Sequence, residues 1–500
     1  MRQHPIALHD TIPGGTRMAE TTIQEALNTA TRHHRAGELP QAEAIYRQIL
    51  SLNPNDPDAL HLLGVLAAQT GHADAIPLLR RAIACRPQFP EAYFHLAYAL
   101  HVRGELNEAI TCYRTSLAQS PDAPETWMNL GDALTMAGEP LEAVRCCRHA
   151  LALHPGVPQA HNNLGDALRA AGSFDSAIAE FRTAIRIDPN FAEAHGKLAH
   201  ALLRRGEFDE GYREYEWRWK CQSFNAPRRQ FAQPQWDGSD PAGRTILLCA
   251  EQGLGDTIQQ ARFAPIIAAR GGRVVIACAQ ELVRLLLQQS TCLGAKQVVS
   301  NLADIQETID TQLPMMSLPY VMGIRAETDI PRNVPYLSAI PRELGGEVLK
   351  VGLVWSGSSA HALDRGRSAT LSALSPLASE RITFYSLQVG PAAVEALAPP
   401  AGMNLIDCSP QIRDFADTAG IVASLDLLIC VDTAVAHLAG AMGKRVWVML
   451  PWTSDFRWMT DREDSPWYPT MRLFRQHSPG DWGGVIRRVR EQLQNLTHIA

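Results

Sequence analysis

Prolines at Pro54, Pro87, Pro121, Pro155 and Pro189 stand 33, 34, 34 and 34 residues apart. A fixed step of this length restricts the fold more than any composition figure. Each period must be one supersecondary unit that buries its apolar face only against its neighbours. Each proline closes a helical pattern, because it lacks the N–H that would extend the ladder. A second helical pattern opens within a few residues, as in "SPDAPETWMNLGDAL" and "HPGVPQAHNNLGDAL". The single step of 33 predicts a one-residue deletion in the turn near Gly71-His72.

Within the period, the unit from Pro124 carries Trp127, Leu130, Gly131, Leu134, Ala143, Ala150 and Pro155. The next carries His161, Leu164, Gly165, Leu168, Ala177, Phe181, Ala184 and Pro189. This pattern resembles the tetratricopeptide repeat, in which glycine and alanine let paired helices approach and larger residues fill the gap. The resemblance implies an α-solenoid of about five and a half units over residues 22–222, preceded by a flexible arm, 1–21. The first helices would line a concave face. Asn129 and Asn163 lie one repeat apart there, as do Asp132 and Asp166. A side-chain amide both donates and accepts, so stacked asparagines could hold an extended acceptor chain. The plainer reading is a solvated polar face.

The last repeat ends in "EFDEGYREYEWRWK", whose Tyr212, Tyr215, Trp217 and Trp219 read as a packing seam. A polar, proline-bearing linker, 223–244, follows. Strand patterns then alternate with helical ones: Thr245–Ala250, Arg273–Cys278 and Lys296–Ser300, then Leu349–Trp355, Ile382–Gln388, Met403–Asp407, Leu427–Val431 and Arg445–Leu450. Alternation of this kind predicts parallel sheets covered by helices. The proline-rich "DIPRNVPYLSAIPRELGGE" divides them into two α/β domains, 245–345 and 346–500. Their strands would end on a shared cleft. A net charge of -6 argues against a general nucleic-acid binder. Ten cysteines without a C-x-x-C pair read as reduced thiols of a cytoplasmic protein. No apolar run approaches the roughly 18 residues of a membrane span.

Two turns carry candidate chemistry. In "TILLCAEQGLGDTIQQARFAP" a strand breaks into the turn glycines Gly253 and Gly255 and then Asp256. Ile258 spoils the dinucleotide fingerprint, which needs glycine or alanine there. In "LDLLICVDTAVAHLAGAMGKRVWVML" a strand ends at Asp432, Thr433 starts a helix and Gly443 caps it. Unpaired N–H groups near Thr433 and Ala434 would suit a diphosphate, with His437 one turn on as a further donor. The plainer reading makes Asp432 an N-cap and His437 a half-buried surface residue.

Together these segments resemble glycosyltransferase family 9, the heptosyltransferase-like enzymes of the GT-B fold, over about residues 245–500. The match is closest to a bacterial subgroup in which tetratricopeptide repeats precede the transferase domain. Gly255, Asp256 and Pro265 match one family motif; Asp432, Thr433, Ala434, His437 and Ala439 match the other. Ala434 stands where the family usually has glycine. The resemblance implies transfer of a sugar from a nucleotide-sugar donor to an acceptor hydroxyl, with inversion, and Asp256 as base. The plainer alternative is that Asp256 caps the helix at Thr257. In the resembling enzymes a basic residue of the donor loop approaches the diphosphate; here that loop holds Ser356, Gly357, Ser358, Arg365 and Arg367, so Arg365 or Arg367 takes that part, the plainer reading being a surface basic loop. Ser386 and Gln388 stand at another strand end, in reach of a nucleobase edge or ribose of the donor. Residues from 243 onward hold no Asp-x-Asp pair, so no metal and no cofactor beyond the nucleotide-sugar co-substrate is expected. Trp452, Phe456, Trp458, Trp467 and Tyr468, crowded around Asp455, Arg457 and Asp461, read as core. The partners implied are the donor and a protein or glycan acceptor in the repeat groove, with no nucleic acid. Two alternatives stand: a non-catalytic repeat scaffold with a degenerate transferase domain, and an enzyme like the protein O-GlcNAc transferases, whose C-terminal motifs are not evident.

Overall fold

The structure, a computed structural model, describes residues 15–224, 226, 229–345, 348–357 and 364–499. It divides into two compact units, Met1–Ala194 and His195–Ala500.

The first unit is a series of paired antiparallel helices. Its first helix is Gly15–Arg35, seven residues longer at its start than the expected boundary at 22. The run from Thr16 to Glu20 has no helix breaker, so nothing stops the helix there. Prolines at Pro57, Pro90, Pro124 and Pro158 occupy the opening turn of the first helix in their units, where a missing N–H costs nothing. Every pair turns on a glycine in the left-handed region: Gly37, Gly71, Gly104, Gly138 and Gly172, with φ between 69° and 84°. Each pair then packs a small residue against a large one. A Cβ on Gly131 would come within 2.4 Å of the Cys147 sulfur, and one on Gly165 within 2.5 Å of the Phe181 ring. The shortened repeat shows its deletion between Gly71 and Cys85, where the second helix is Ala75–Cys85 rather than a 14-residue helix such as Leu106–Gln119.

The second unit opens with the rest of the helix Ala192–Arg205 and with Phe208–Tyr215. Tyr212 and Tyr215 are buried in the same core as strand residues Ile246 and Leu248, so this part of the seam is structural. Trp217 and Trp219 are only half-buried. Ten strands follow among the described residues: β1 Thr245–Cys249, β2 Arg273–Ala277, β3 Ala295–Val299, β4 Thr311–Pro314, β5 Leu349–Val354, β6 Ile382–Ser386, β7 Leu405–Asp407, β8 Leu427–Val431, β9 Val446–Leu450 and β10 Met471–Arg475. They form two parallel sheets, β3-β2-β1-β4 and β10-β9-β8-β5-β6-β7. Strand side chains alternate between faces, as the pleat requires. In β8, Leu428 and Cys430 enter the core shared by both sheets. Leu427, Ile429 and Val431 enter a second core under the helix Trp482–Ile499.

Strands β4 and β10 are absent from the sequence reading. "TQLP" is four residues long and ends in proline, and "MRLFR" carries two arginines, so neither shows a strand's apolar run. The linker also does more than connect. Trp236 is buried and its N–H donates to the Gln312 carbonyl, which lays residues 234–236 along the free edge of β4. The expected boundary at 346 comes late in packing terms. Tyr336 and Leu337 already donate to the Ala441 carbonyl, and Arg342 to that of Gly420, on helices of the second sheet.

Candidate functional site

In each sheet the strand order reverses direction once, between β1 and β4 and between β5 and β8. Such switch points leave a crevice at the carboxyl ends of the strands. The turn Trp355–Gly357 after β5 and Asp432-Thr433 after β8 both end at the second crevice.

Thr433 has extended dihedrals and precedes the helix Ala434–Ala441. Its hydroxyl oxygen is buried and makes no hydrogen bond. A buried hydroxyl without a partner is uncommon in a folded protein. Burial raises the Asp432 carboxyl to about 6, with the nearby Asp455 charge adding to the effect. Arg367 counts among the charges that act on Asp432 in the opposite sense. The Arg367 guanidinium lies over Gly357, where a Cβ would meet it at 2.5 Å. Gly357 donates to the Ser368 hydroxyl at 2.9 Å, and the Ser356 hydroxyl reaches the same Ser368 oxygen at 3.3 Å. The Arg365 side chain and Ser358 lie outside the described residues.

Gln388 does not reach outward for a nucleobase. It is buried, accepts from the Trp355 and Ser356 N–H groups, and donates to the Ser356 and Val389 carbonyls. With the amide fully used, Gln388 clamps the end of β6 to that of β5. Ser386 is fully buried, and its hydroxyl accepts from the Gln388 N–H.

His437 is corrected too. It is buried rather than presented to an open face, its ring near-parallel to Trp458 at 5.2 Å and hydrogen-bonded through Nδ1 to the Tyr468 hydroxyl at 3.1 Å. Burial, then the Arg457 charge, lowers its pKa to about 3, so the ring is neutral. The cover comes from the turn after β1. A Cβ on Gly255 would lie 2.7 Å from His437 Cδ2 and 3.3 Å from Ala434 Cα, so glycine alone permits this approach. The two motif turns, 177 residues apart at Gly255 and Asp432, are thereby brought together.

Asp256 stands in the first turn of the helix Leu254–Gln260, whose N-cap is Gly253. Its Oδ2 accepts from the Gly253 N–H at 2.8 Å, so it caps back onto Gly253 and not at Thr257. Its Oδ1 lies 2.5 Å from Arg457 Nη2, so the carboxylate expected to be free is ion-paired. Arg457 also pairs with Asp455 at 2.8 Å and donates to Gln259 at 2.7 Å. Arg457 and Asp455 therefore stand with the Gly255-Asp256 turn, whereas the sequence alone places them among core aromatics. The signal available was two opposite charges interleaved with aromatics. Phe456, Trp458, Trp467 and Tyr468 are core, whereas Trp452 is exposed.

In the solenoid, Asn129 is half-buried and donates to the Glu125 carbonyl of its own helix. Asn163 is buried and accepts from Gln159 and Asn162, so it is not available to a groove ligand. Asp132 lies 3.7 Å from His101, and Asp166 pairs with Arg169 at 3.1 Å.

The tetratricopeptide-repeat family matches residues 27–74, 78–111, 98–138 and 165–206. The solenoid is a tetratricopeptide array. The curated Protein FlbA of Caulobacter vibrioides is 25% identical over 314 residues, which are 57% of this chain and 52% of that protein. The chain thus spans about half the length of that relative. Similar solved structures include MamA protein, 23% identical, covering 34% of this chain and 94% of that one at a TM-score of 0.31. A tetratricopeptide repeat protein from Parabacteroides merdae is 16% identical, covering 40% and 80% at a TM-score of 0.36. Among the described residues no helix is long and apolar enough to cross a membrane.

Proposed function

We propose that the two-sheet unit is a GT-B glycosyltransferase and that the tetratricopeptide array holds a protein acceptor. The observation that carries the reading is the approach of Gly255 to Ala434 and His437, which joins the Gly255-Asp256 turn to the Asp432–His437 turn. A diphosphate would take the hydrogen bond that Thr433 lacks, together with the first N–H groups of the helix Ala434–Ala441. Arg367 would offset leaving-group charge without a metal. Asp256 would take the proton of an acceptor hydroxyl as its oxygen attacks the anomeric carbon, and the bond from that carbon to the diphosphate breaks with inversion. His437, neutral and enclosed, sets the shape of the helix start and does not act as a cation.

Thermal-shift titration with nucleoside diphosphates tests the donor site. A base-selective rise in melting temperature supports it, followed by release of nucleoside diphosphate from the matching nucleotide sugar. No response to any nucleotide removes the transferase reading. A second reading, a scaffold that has lost turnover, is favoured by the Arg457 pairing of Asp256. It expects nucleotide binding without sugar release.

A further inference from the structure

Arg262 is a buried charge that none of the donor or base assignments uses. It lies in the short turn Ala261–Phe263, directly after the helix that bears Asp256, and is only 3% exposed. Among the described residues it has no carboxylate partner. Its guanidinium donates instead to the carbonyls of Gln259 at 2.8 Å, Pro331 at 3.0 Å and Trp467 at 2.8 Å, and to the Tyr336 hydroxyl at 3.3 Å. The rings of Tyr336, Trp467 and Tyr468 lie around it, with centroids 5.1, 5.2 and 4.7 Å from the guanidinium carbon.

These partners come from both α/β parts. Gln259 belongs to the helix after β1, Trp467 and Tyr468 precede β10, and Pro331 and Tyr336 lie in the segment between β4 and β5. Two of them reach on to the motif turns. The Tyr336 hydroxyl donates to the Ile258 carbonyl at 3.0 Å, in the Asp256 helix, while the Tyr336 N–H donates to Ala441 in the His437 helix. The Tyr468 hydroxyl meets His437 Nδ1 at 3.1 Å, and its ring lies so near that helix that a Cβ on Gly440 would come within 2.6 Å of it. Arg262 thus stands behind both turns.

A buried cation held only by dipoles is a weak source of stability, because its desolvation offsets the hydrogen bonds it gains. What a guanidinium supplies is a planar fork that holds several acceptors at fixed spacing. The surroundings act in the same sense. Residues of both sheets share one apolar core, and both sheets fall within the compact unit His195–Ala500. Away from Arg262, Arg284 of the helix Gln280–Gln288 donates at 2.7 Å to Asp414, the N-cap of the helix Phe415–Ala423. Relative motion is the default between domains unless their interface is large and apolar, as this one is.

We propose that Arg262 is a positioning residue that locks the two sheets in one register, so that the crevice at the motif turns is assembled before a ligand arrives and does not close by a hinge. Only the effect on turnover rests on the transferase reading; the lock itself does not.

Pulsed-EPR distances on the full chain test it. One spin label sits on the native, exposed Cys292 of the first α/β part and the other on Leu397→Cys, at an exposed position of the second. Cys85→Ser and Cys221→Ser remove the exposed and half-buried thiols elsewhere. A single narrow distribution is expected, its mean moved by less than about 2 Å by saturating ADP, GDP or UDP. Arg262→Met removes the fork and should broaden the distribution or add a second peak. Tyr336→Phe removes two of the bonds and should broaden it less, which covers an Arg262 variant that does not fold. Distributions like wild type in the folded variants, or a nucleotide-driven shift beyond about 2 Å, refute the lock. Arg262→Met should also lower kcat about 10²-fold with donor KM kept, since a misplacement of about 1 Å suffices for that loss. An unchanged kcat refutes the positioning role. Absence of nucleotide binding removes the transferase reading, and the distances in the two variants still decide the lock.

Discussion

Asp256 Oδ1 and Arg457 Nη2 stand 2.5 Å apart, with the arginine side chain 8% and the carboxylate 19% exposed. A carboxylate so held has one oxygen committed to the guanidinium and the other to the Gly253 N–H. In a transferase cycle, Arg457 would have to lean toward Asp455 as an acceptor hydroxyl arrives. The pair is a strut between the helix Leu254–Gln260 and the loop after β9, and it would act as a brake on Asp256 in the proposed transferase.

Asp256→Asn separates the two roles. Asparagine still accepts from Gly253, and Arg457 keeps Asp455 and Gln259, so the stability loss should be about 1–3 kcal/mol, below the roughly 3–5 of a fully stranded charge. A base predicts turnover lower by about 10²–10⁴ with donor affinity kept. Chemical denaturation and initial-rate assays give both numbers. Wild-type turnover assigns Asp256 to structure alone.

Gly255→Ala drives a methyl to 2.7 Å from the His437 ring and should cost about 1–3 kcal/mol by overpacking. Adding His437→Ala makes room, so the double variant should be less destabilised than the sum of the singles. Additivity in calorimetric melting would show that the two turns do not touch in solution.

Thr433→Val keeps the shape of the side chain and removes the orphaned hydroxyl. Free protein should be unchanged or slightly more stable, because an unmet hydroxyl costs about 1–3 kcal/mol. Nucleoside diphosphate affinity should fall about fivefold or more. Unchanged affinity in calorimetry takes Thr433 out of the diphosphate seat.

Stability should depend on pH through two groups of opposite sign. His437 has a folded pKa lowered to about 3 from 6.5, so the unfolded chain binds the extra proton between those values. Its stabilising contribution is present above 6.5 and is lost as pH falls toward 3, by at most about 1.4 kcal/mol per pH unit. Burial raises Glu251 to about 7 from 4.5, so the folded chain binds the extra proton and its contribution is lost as pH rises from 4.5 to 7. Relative to wild type, His437→Gln should flatten the acid-side fall, and Glu251→Gln should remove a loss toward neutral. Denaturation midpoints between about pH 4.5 and 6.5 test the opposed tilts. Parallel curves for all three proteins would refute them.

The solenoid was legible because its signals are local and repeated: a proline, a glycine turn and a small-against-large contact return with each unit. The strands with apolar runs were legible too. β4 was hidden because four residues ending in proline carry no period, and its pairing is decided by β1 and by Trp236 of the linker. The burial of His437 and the engagement of Gln388 were hidden for another reason. Each depends on a surface brought from far along the chain, Gly255 in one case and the ends of β5 and β6 in the other. Sequence spacing places such residues at strand ends but does not say what covers them.

Asn163 illustrates the same limit in the repeats. Asn163→Ala strands the donors of Gln159 and Asn162 and should lower stability by about 1–2 kcal/mol. Asn129→Ala, which gives up one bond within its own helix, should be nearly silent in thermal melting. Equal effects would mean that both side chains share one environment.

The left-handed glycines recur at Gly104, Gly138 and Gly172 with φ of 77°, 84° and 82°. A 34-residue cassette cut from one such glycine to the next starts and stops on the same backbone dihedral. It can be duplicated or excised without inventing a new junction. Array length is then a quantity that can change by whole cassettes, through unequal recombination or by design, while each small-against-large contact, which bridges two cassettes as Gly131 and Cys147 do across Gly138, is remade at the new junction. Lengthening or shortening the array needs no compensating substitution within any unit.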